Sequence, residues 1–298
     1  MQTTQGTVLI TGATGFIGRR LAGELLGLGY SVRCMVRRDT DGMPDAAEVV
    51  RADMLQPLTL GKALEGIDTA YYLVHSMSGG RSGFERRDRE AAENFVAAAD
   101  KAGVRRTIYL GGLGETGDDL SEHLKSRLEV AEILKKGRFA TTFLRAAIII
   151  GAGGASFEMV RSLVNRLPVM ITPRWVTTRC QPIAVDDVIA YLAGCLTDER
   201  TAGRTFDIGG PEVLTYREMM IRFGRIEGRK LFILAVPVLT PKLSSYWVGL
   251  ITPVPPSVSM PLIEGLKNEV VCRETAIREI IPIRLTPYDE AVRKALAA

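Results

Sequence analysis

The sequence predicts an α/β protein, a doubly wound parallel sheet with a small interleaved C-terminal lobe, and three observations carry that prediction. Short β-rich runs alternate with helical patterns through the first half of the chain. The separation of these runs by helical patterns implies parallel pairing with helices covering both faces. A glycine cluster, TGATGFIG at 11–18, stands between the first strand and the first helix.

Each element follows in order. Thr7 to Thr11 reads as a strand that breaks into glycines, and Phe16 to Leu28 carries apolar residues at helical spacing. SVRCMV at 31–36 and AYYLVH at 70–75 read as further strands. Phe84 to Ala102 is a helix with Ala91, Ala92, Phe95, Val96, Ala98, Ala99 and Ala102 on one face. TIYLGG at 107–112 is a strand, a helix runs near Ser121 to Lys136, and LRAAIIIG at 144–151 is a strand again.

Beyond Gly151 the alternation loosens. RLPVMITPRW lies at 166–175, a strand-like QPIAV precedes Asp186 and Asp187, a helix reaches about Leu196, and TFDIGG at 205–210 leads into another helix. The expected organisation is a dinucleotide-binding domain over 1–151 and a mixed region over 152–298. Of the latter, about 181–227 completes the sheet, while about 152–180 and 228–298 form the second lobe.

Composition narrows the function classes. With 298 residues, 46% of them hydrophobic and 24% charged, the chain is globular and not disordered. A net charge of +4 without any long Lys/Arg block argues against a nucleic-acid partner. Cys34, Cys180, Cys195 and Cys272 form no CxxC, and the start MQTTQGTVLITG has no charged region followed by an apolar one, so a reduced, cytoplasmic protein is expected. His75 and His123 sit at no metal-ligand spacing, and no metal is expected.

Gly12, Gly15 and Gly18 allow φ > 0 and a close approach of backbone to ligand, which suits a pyrophosphate at a helix N-terminus. Thr14, Phe16 and Ile17 belong to the same turn. The alternative is a tight βα turn alone. Where a carboxylate would meet a ribose 2′-hydroxyl, about 20 residues on, the sequence has Arg37 and Arg38. Guanidinium forks there suit a 2′-phosphate, so NADP(H) is expected before NAD(H), the alternative for this pair being a solvated surface. Asp53 and Met54 follow the third strand, near an adenine; His75 and Gly111, at strand ends, line the groove.

TGATGFIG, AYYLVH, RRTIYLGGLG, LRAAIIIG, QPIAVDDV and FDIGGPEVLTYREM together resemble the short-chain dehydrogenase/reductase superfamily from about Thr7 to Met220. The resemblance is to its extended and atypical branches, which include NmrA-like regulators, isoflavone-reductase-like enzymes and the nucleotide-binding accessory subunit of respiratory complex I. It implies a Rossmann domain with a C-terminal substrate lobe. It also implies a Tyr, a Lys four residues later and a Ser at the preceding strand end. None is in place: the helix reads His123-Leu124-Lys125-Ser126-Arg127 and the strand end Gly111-Gly112.

The i, i+4 spacing places His123 and Arg127 on one helix face. An imidazole of pKa ~6.5 is a competent acid or base near neutrality, and Arg127 would bond ribose hydroxyls and bias His123 toward its neutral form. The other reading is a solvated surface pair. One of Asp186 and Asp187 is expected to cap a helix starting at Val188. Phe157, Met159, Met170 and Trp175 are either an apolar wall of the second lobe or its ordinary core.

Two function classes follow. One is an NADP(H)-dependent oxidoreductase acting on an apolar small molecule of unknown identity; the other is a non-catalytic NADP(H)-binding redox sensor, regulator or assembly protein. Leu231 to Pro261 holds six of the 14 prolines among apolar residues, too interrupted for a transmembrane span. It is expected to be a cover over an apolar cavity with Trp247 at its wall, with lobe core and a docking surface for a protein partner or membrane as the alternatives.

Overall fold

The computed structural model describes residues 6–38, 42–74, 83–113, 122–236 and 265–298. His75 and Trp247 lie outside the described residues, as does most of the 231–261 segment.

Seven parallel strands form the central sheet: β1 (Thr7–Thr11), β2 (Val32–Val36), β3 (Glu48–Arg51), β4 (Ile67–Tyr72), β5 (Arg106–Gly112), β6 (Ala140–Ala146) and β11 (Thr205–Ile208). Their order across the sheet is β11-β6-β5-β4-β1-β2-β3, so the chain leaves β1 toward one edge and restarts from β4 toward the other. That reversal opens a crevice outside the carboxyl ends of β1 and β4. It is the doubly wound, Rossmann-like α/β architecture that the alternation predicted.

The two faces of the sheet are covered differently. Helix α1 (Phe16–Gly27) buries Leu21, Ala22 and Leu25, and α6 (Val185–Thr197) buries Val188, Leu192 and Cys195, over the face that carries Ile10, Tyr71 and Ile108. The Tyr71 hydroxyl donates to the Leu192 carbonyl at 2.8 Å and ties β4 to α6. On the other face lie α2 (Leu60–Leu64), α3 (Phe84–Ala102) and α4 (Glu122–Leu134). Here Tyr72, Phe95, Tyr109 and Phe143 interlock, with the Tyr109 and Phe143 rings stacked 4.9 Å apart.

Several sequence expectations shift. AYYLVH is a strand only through Tyr72, with β4 starting earlier, at Ile67. LRAAIIIG divides into β6 and the two-residue β7 (Ile149–Ile150), which pairs with β10 (Ile183–Ala184). Helix α6 begins at Val185, not Val188, and neither aspartate caps it. Asp187 instead accepts from the Thr286 backbone N–H at 2.8 Å and hydroxyl at 2.9 Å, while Asp186 faces Lys294 at 3.6 Å. Both carboxylates still lie in the first turn, where the helix dipole favours them.

The second lobe has its own core, formed by α5 (Ala155–Arg166), α7 (Tyr216–Ile226) and the C-terminal helix Tyr288–Ala297. Phe157, Met159 and Met170 are buried in it against Phe223 and Val292, so they are core and not a cavity wall. Trp175 packs edge-on against Tyr216 at its margin. β8 (Val169–Pro173) pairs in parallel with β13 (Phe232–Val236) across some 60 residues of chain. The start of the 231–261 segment is therefore a strand. Met170 and Ile233 point inward, while Val169, Ile171, Phe232 and Leu234 are more than half exposed on the opposite face.

Candidate nucleotide-binding and active site

The turn after β1 is shaped by its glycines. Gly12 has φ +65°, and a Cβ there would stand 2.7 Å from the Leu73 carbonyl oxygen at the end of β4. A Cβ on Gly18 would overlap the Gly12 carbonyl oxygen, so the third glycine lets α1 sit against its own turn. Gly15 is less confined, since its Cβ would meet only that same oxygen at 3.1 Å. Its N–H donates to Gly12 at 2.9 Å and closes the turn.

Gly15 is also the N-cap of α1, with no side-chain cap and no acidic residue in the first turn. The N–H groups of Phe16, Ile17 and Gly18 find no partner among the described residues. Thr14 and Gly15 are exposed beside them. The Phe16 ring packs against Gly154 under the Arg20 guanidinium, 4.6 Å above its centre, and Arg20 donates to the Ala152 carbonyl at 2.9 Å. Phe16 thus braces the turn against 151–154. These open donors at a positive helix end fit a pyrophosphate.

Past β2, Arg37 and Arg38 are exposed and make no ion pair with a described residue. Beyond β3, Asp53 Oδ1 accepts from the Leu55 N–H at 3.0 Å, and its second oxygen bonds no described residue. Met54 has its side chain in the core and its carbonyl bonded by Asn94 at 2.8 Å, so only its backbone N–H is available to a ligand. Gly111 is buried in β5, opposite Arg145 of β6.

His123 lies in the first turn of α4, with its side chain outside the described residues. Arg127, one turn on, is half-buried, and its carbonyl accepts from the Tyr109 hydroxyl at 3.3 Å. Two features beneath them were missed by sequence reasoning. Asp88 on α3 is buried and accepts from Ser126 at 3.3 Å, fixing α4 beside Arg127. Asp88 continues the apolar stripe of Ala91, Ala92 and Phe95, and a carboxylate on such a stripe was the available signal. Arg145 is held by the buried Asp207 of β11 at 2.6 Å. It shares a strand face with Phe143 and sits over side-chain-free Gly111.

The four cysteine thiols and the two core tyrosines beside the site are held in their neutral forms. Burial pushes the thiols of Cys34 and Cys195 up to about 11 and those of Cys180 and Cys272 to about 12. Burial also raises the Tyr71 and Tyr72 hydroxyls. Among the described residues no group of three His, Cys, Asp or Glu is placed to hold a metal. No described helix is long and apolar enough to cross a membrane.

The fold and this turn are those of a Rossmann-like domain with an open, glycine-shaped turn at the carboxyl end of β1. Residues 12–151 match the family described as NAD(P)H-binding. The chloroplastic divinyl chlorophyllide a 8-vinyl-reductase of Zea mays is 27% identical over 255 residues, covering 79% of this chain and 63% of that protein. The mitochondrial NADH dehydrogenase [ubiquinone] 1 alpha subcomplex subunit 9 of Arabidopsis thaliana is 26% identical over 221 residues, covering 70% and 55%. The chain thus spans less than two thirds of either relative. Among solved structures, Citrobacter sp. triphenylmethane reductase complexed with NADP(H) superposes with a TM-score of 0.77 at 20% identity, covering 97% of this chain and 99% of that one.

Proposed function

We propose that the protein is an NADP(H)-dependent oxidoreductase acting on an apolar small molecule, with its active site where α4 faces the carboxyl ends of β4 and β5. The observation that carries this reading is the pairing of an uncapped, acid-free first turn of α1 with two exposed arginines at the end of β2 that pair with no described residue. When bound, the cofactor supplies the hydride. The N–H groups of Phe16, Ile17 and Gly18 hold its pyrophosphate. Arg37, with Arg38 beside it, meets the 2′-phosphate as a charge-assisted fork. The second Asp53 oxygen and the Met54 N–H meet the adenine edge, and His75 and Gly111 border the nicotinamide half.

His123 handles the proton and Arg127 bonds the ribose. Such a pair needs no lysine, because the imidazole titrates near neutrality unaided. Relatives named as reductases support this reading. The test is titration of NADPH and NADH by fluorescence, followed by NADPH oxidation with apolar acceptors. NADPH binding several-fold tighter than NADH, with turnover that falls about 10²- to 10⁴-fold in His123→Ala at unchanged NADPH affinity, is expected.

The second reading, a protein that holds NADP(H) without turning it over, is favoured by Gly111-Gly112, His123 and Arg127 standing where Ser, Tyr and Lys would serve catalysis. Tight NADPH binding with no oxidation by any acceptor selects it.

A further inference from the structure

The edge of the sheet opposite the nucleotide turn carries a second cavity. It has a volume of about 440 Å³ and opens between the amino-terminal ends of β1, β4, β5 and β6 and the C-terminal end of α6. Its walls include Val8, Tyr30, Thr69, Arg106, Leu196 and Glu199.

Arg106 is the unusual member. It is the first residue of β5, only 5% exposed, and its charge is held inside the fold. One nitrogen is well used: Nη2 donates to Thr201 Oγ1, to Thr142 Oγ1 at 3.3 Å and to the Asp198 carbonyl at 3.4 Å. That stitches β5 to the loop after α6. Nε and Nη1 are buried and have no hydrogen-bond partner among the described residues. Buried donors on a cation are costly to leave unmatched.

The neighbouring carboxylates do not neutralise it. Asp68 is taken by Arg105. Asp198 is taken by Arg200 at 2.6 Å, which holds its carboxyl down at about 2. Glu199 alone faces Nη1, from 4.0 Å, beyond hydrogen-bond reach, on a side chain 90% exposed. Arg106 thus lines the cavity with two buried, unmatched donors, and the one carboxylate near Nη1, that of Glu199, stands beyond hydrogen-bond reach.

We propose that this cavity is a binding site for a monocarboxylate with a short apolar body, whose carboxylate displaces Glu199 and receives Nη1 of Arg106. Among the lining residues Arg105 and Arg106 stand against Asp68 and Glu199, which leaves the site formally neutral and suits a single negative charge better than a phosphate dianion. Val8, Tyr30 and Leu196 supply apolar wall for the body of the ligand, and Thr69 lines it with its hydroxyl donating to Asp68 at 3.2 Å. The site lies across the sheet from the nucleotide turn and does not depend on the reading of that turn.

The experiment is titration of the full chain with benzoate, with benzamide as the neutral body of the same shape and inorganic phosphate as a second anion, at fixed ionic strength, followed by ligand-observed NMR. Benzoate is expected to bind, and benzamide and phosphate to bind at least about tenfold more weakly. Glu199→Gln removes the internal competitor and is expected to tighten benzoate about two- to fivefold. Arg106→Lys is expected to weaken it about tenfold or more. Gly15→Val, which perturbs only the nucleotide turn, is expected to leave benzoate binding unchanged, and this separates the site from the nucleotide groove. Equal affinity for benzoate and benzamide, no benzoate binding to either the natural protein or Glu199→Gln, or loss of binding in folded Gly15→Val overturns the proposal. If Arg106→Lys fails to fold, the benzoate and benzamide pair and Glu199→Gln still decide.

Discussion

The β1 turn and the β8/β13 ribbon are both built around short apolar strands, yet they are specified in opposite ways. In the β1 turn the constraint is local: Gly12, Gly15 and Gly18 lie within seven residues and each is held by backbone of the same turn or of the adjacent strand end. In the ribbon the constraint is remote: Val169–Pro173 finds its partner at Phe232–Val236, and only one face of the pair is covered. A ligand-shaped turn is written in consecutive residues. A tertiary pairing is not.

Substitutions can break this contrast or sharpen it. The largest effect is expected at Gly18, where a side chain meets the Gly12 carbonyl; Gly18→Val should weaken NADPH at least about 100-fold, measured by calorimetry, because the turn and its open donors are displaced together. Arg37→Glu should come next. It is expected to weaken NADPH about 10- to 100-fold and NADH little, since a repelling carboxylate replaces a charge-assisted fork. Equal loss for both cofactors would place the 2′-phosphate elsewhere.

Within the ribbon, two adjacent residues provide the comparison. Met170→Ala is expected to cost about 2–4 kcal/mol in urea denaturation, because Met170 fills the second-lobe core, whereas Ile171→Ala should stay within about 0.5 kcal/mol. A large effect at Ile171 would mean that the exposed face is covered in solution.

The smallest effect concerns Asp187, whose carboxyl is raised by burial, against the lowering pull of its two bonds from Thr286. An acid raised in the folded state binds its proton more tightly than in the unfolded chain. Its ionisation therefore lowers stability as pH climbs from the usual carboxylate value to the raised one. Asp187→Asn should thus be more favourable relative to the natural protein at pH 7 than at pH 3, in parallel denaturation curves.

The same division explains what was legible in the sequence. β1, α1, α3 and β5 were readable because apolar period and glycine punctuation are local. The parallel, doubly wound sheet followed from the alternation, whereas the order of its seven strands was set by tertiary pairing that the sequence does not spell out. The break between β6 and β7 was not readable, since AAIII is uniformly apolar and β7 ends only because β10 arrives to pair with it. The start of α6 was misread because Asp186-Asp187 looks like a cap, whereas the partner of Asp187 is Thr286, 99 residues away. At the site, the nucleotide turn was visible, and Asp88 left a detectable flaw in an apolar stripe. Arg145 and Asp207 left none that could be joined, because two charges on separate strands show no sign of their meeting until the strands are neighbours.

The seventh strand has a consequence for how the chain is made. The family match ends at residue 151, but the free edge of β6 is closed only by β11 at 205–208. During translation the six earlier strands emerge first, and about 60 more residues must follow before that edge is capped. At about 5–20 residues per second this is roughly 3–12 s on the ribosome with an apolar strand edge unpaired. A polypeptide released at that stage carries the nucleotide turn intact and an adhesive border beside it, so premature termination between 151 and 204 should yield aggregates, not a small working binder.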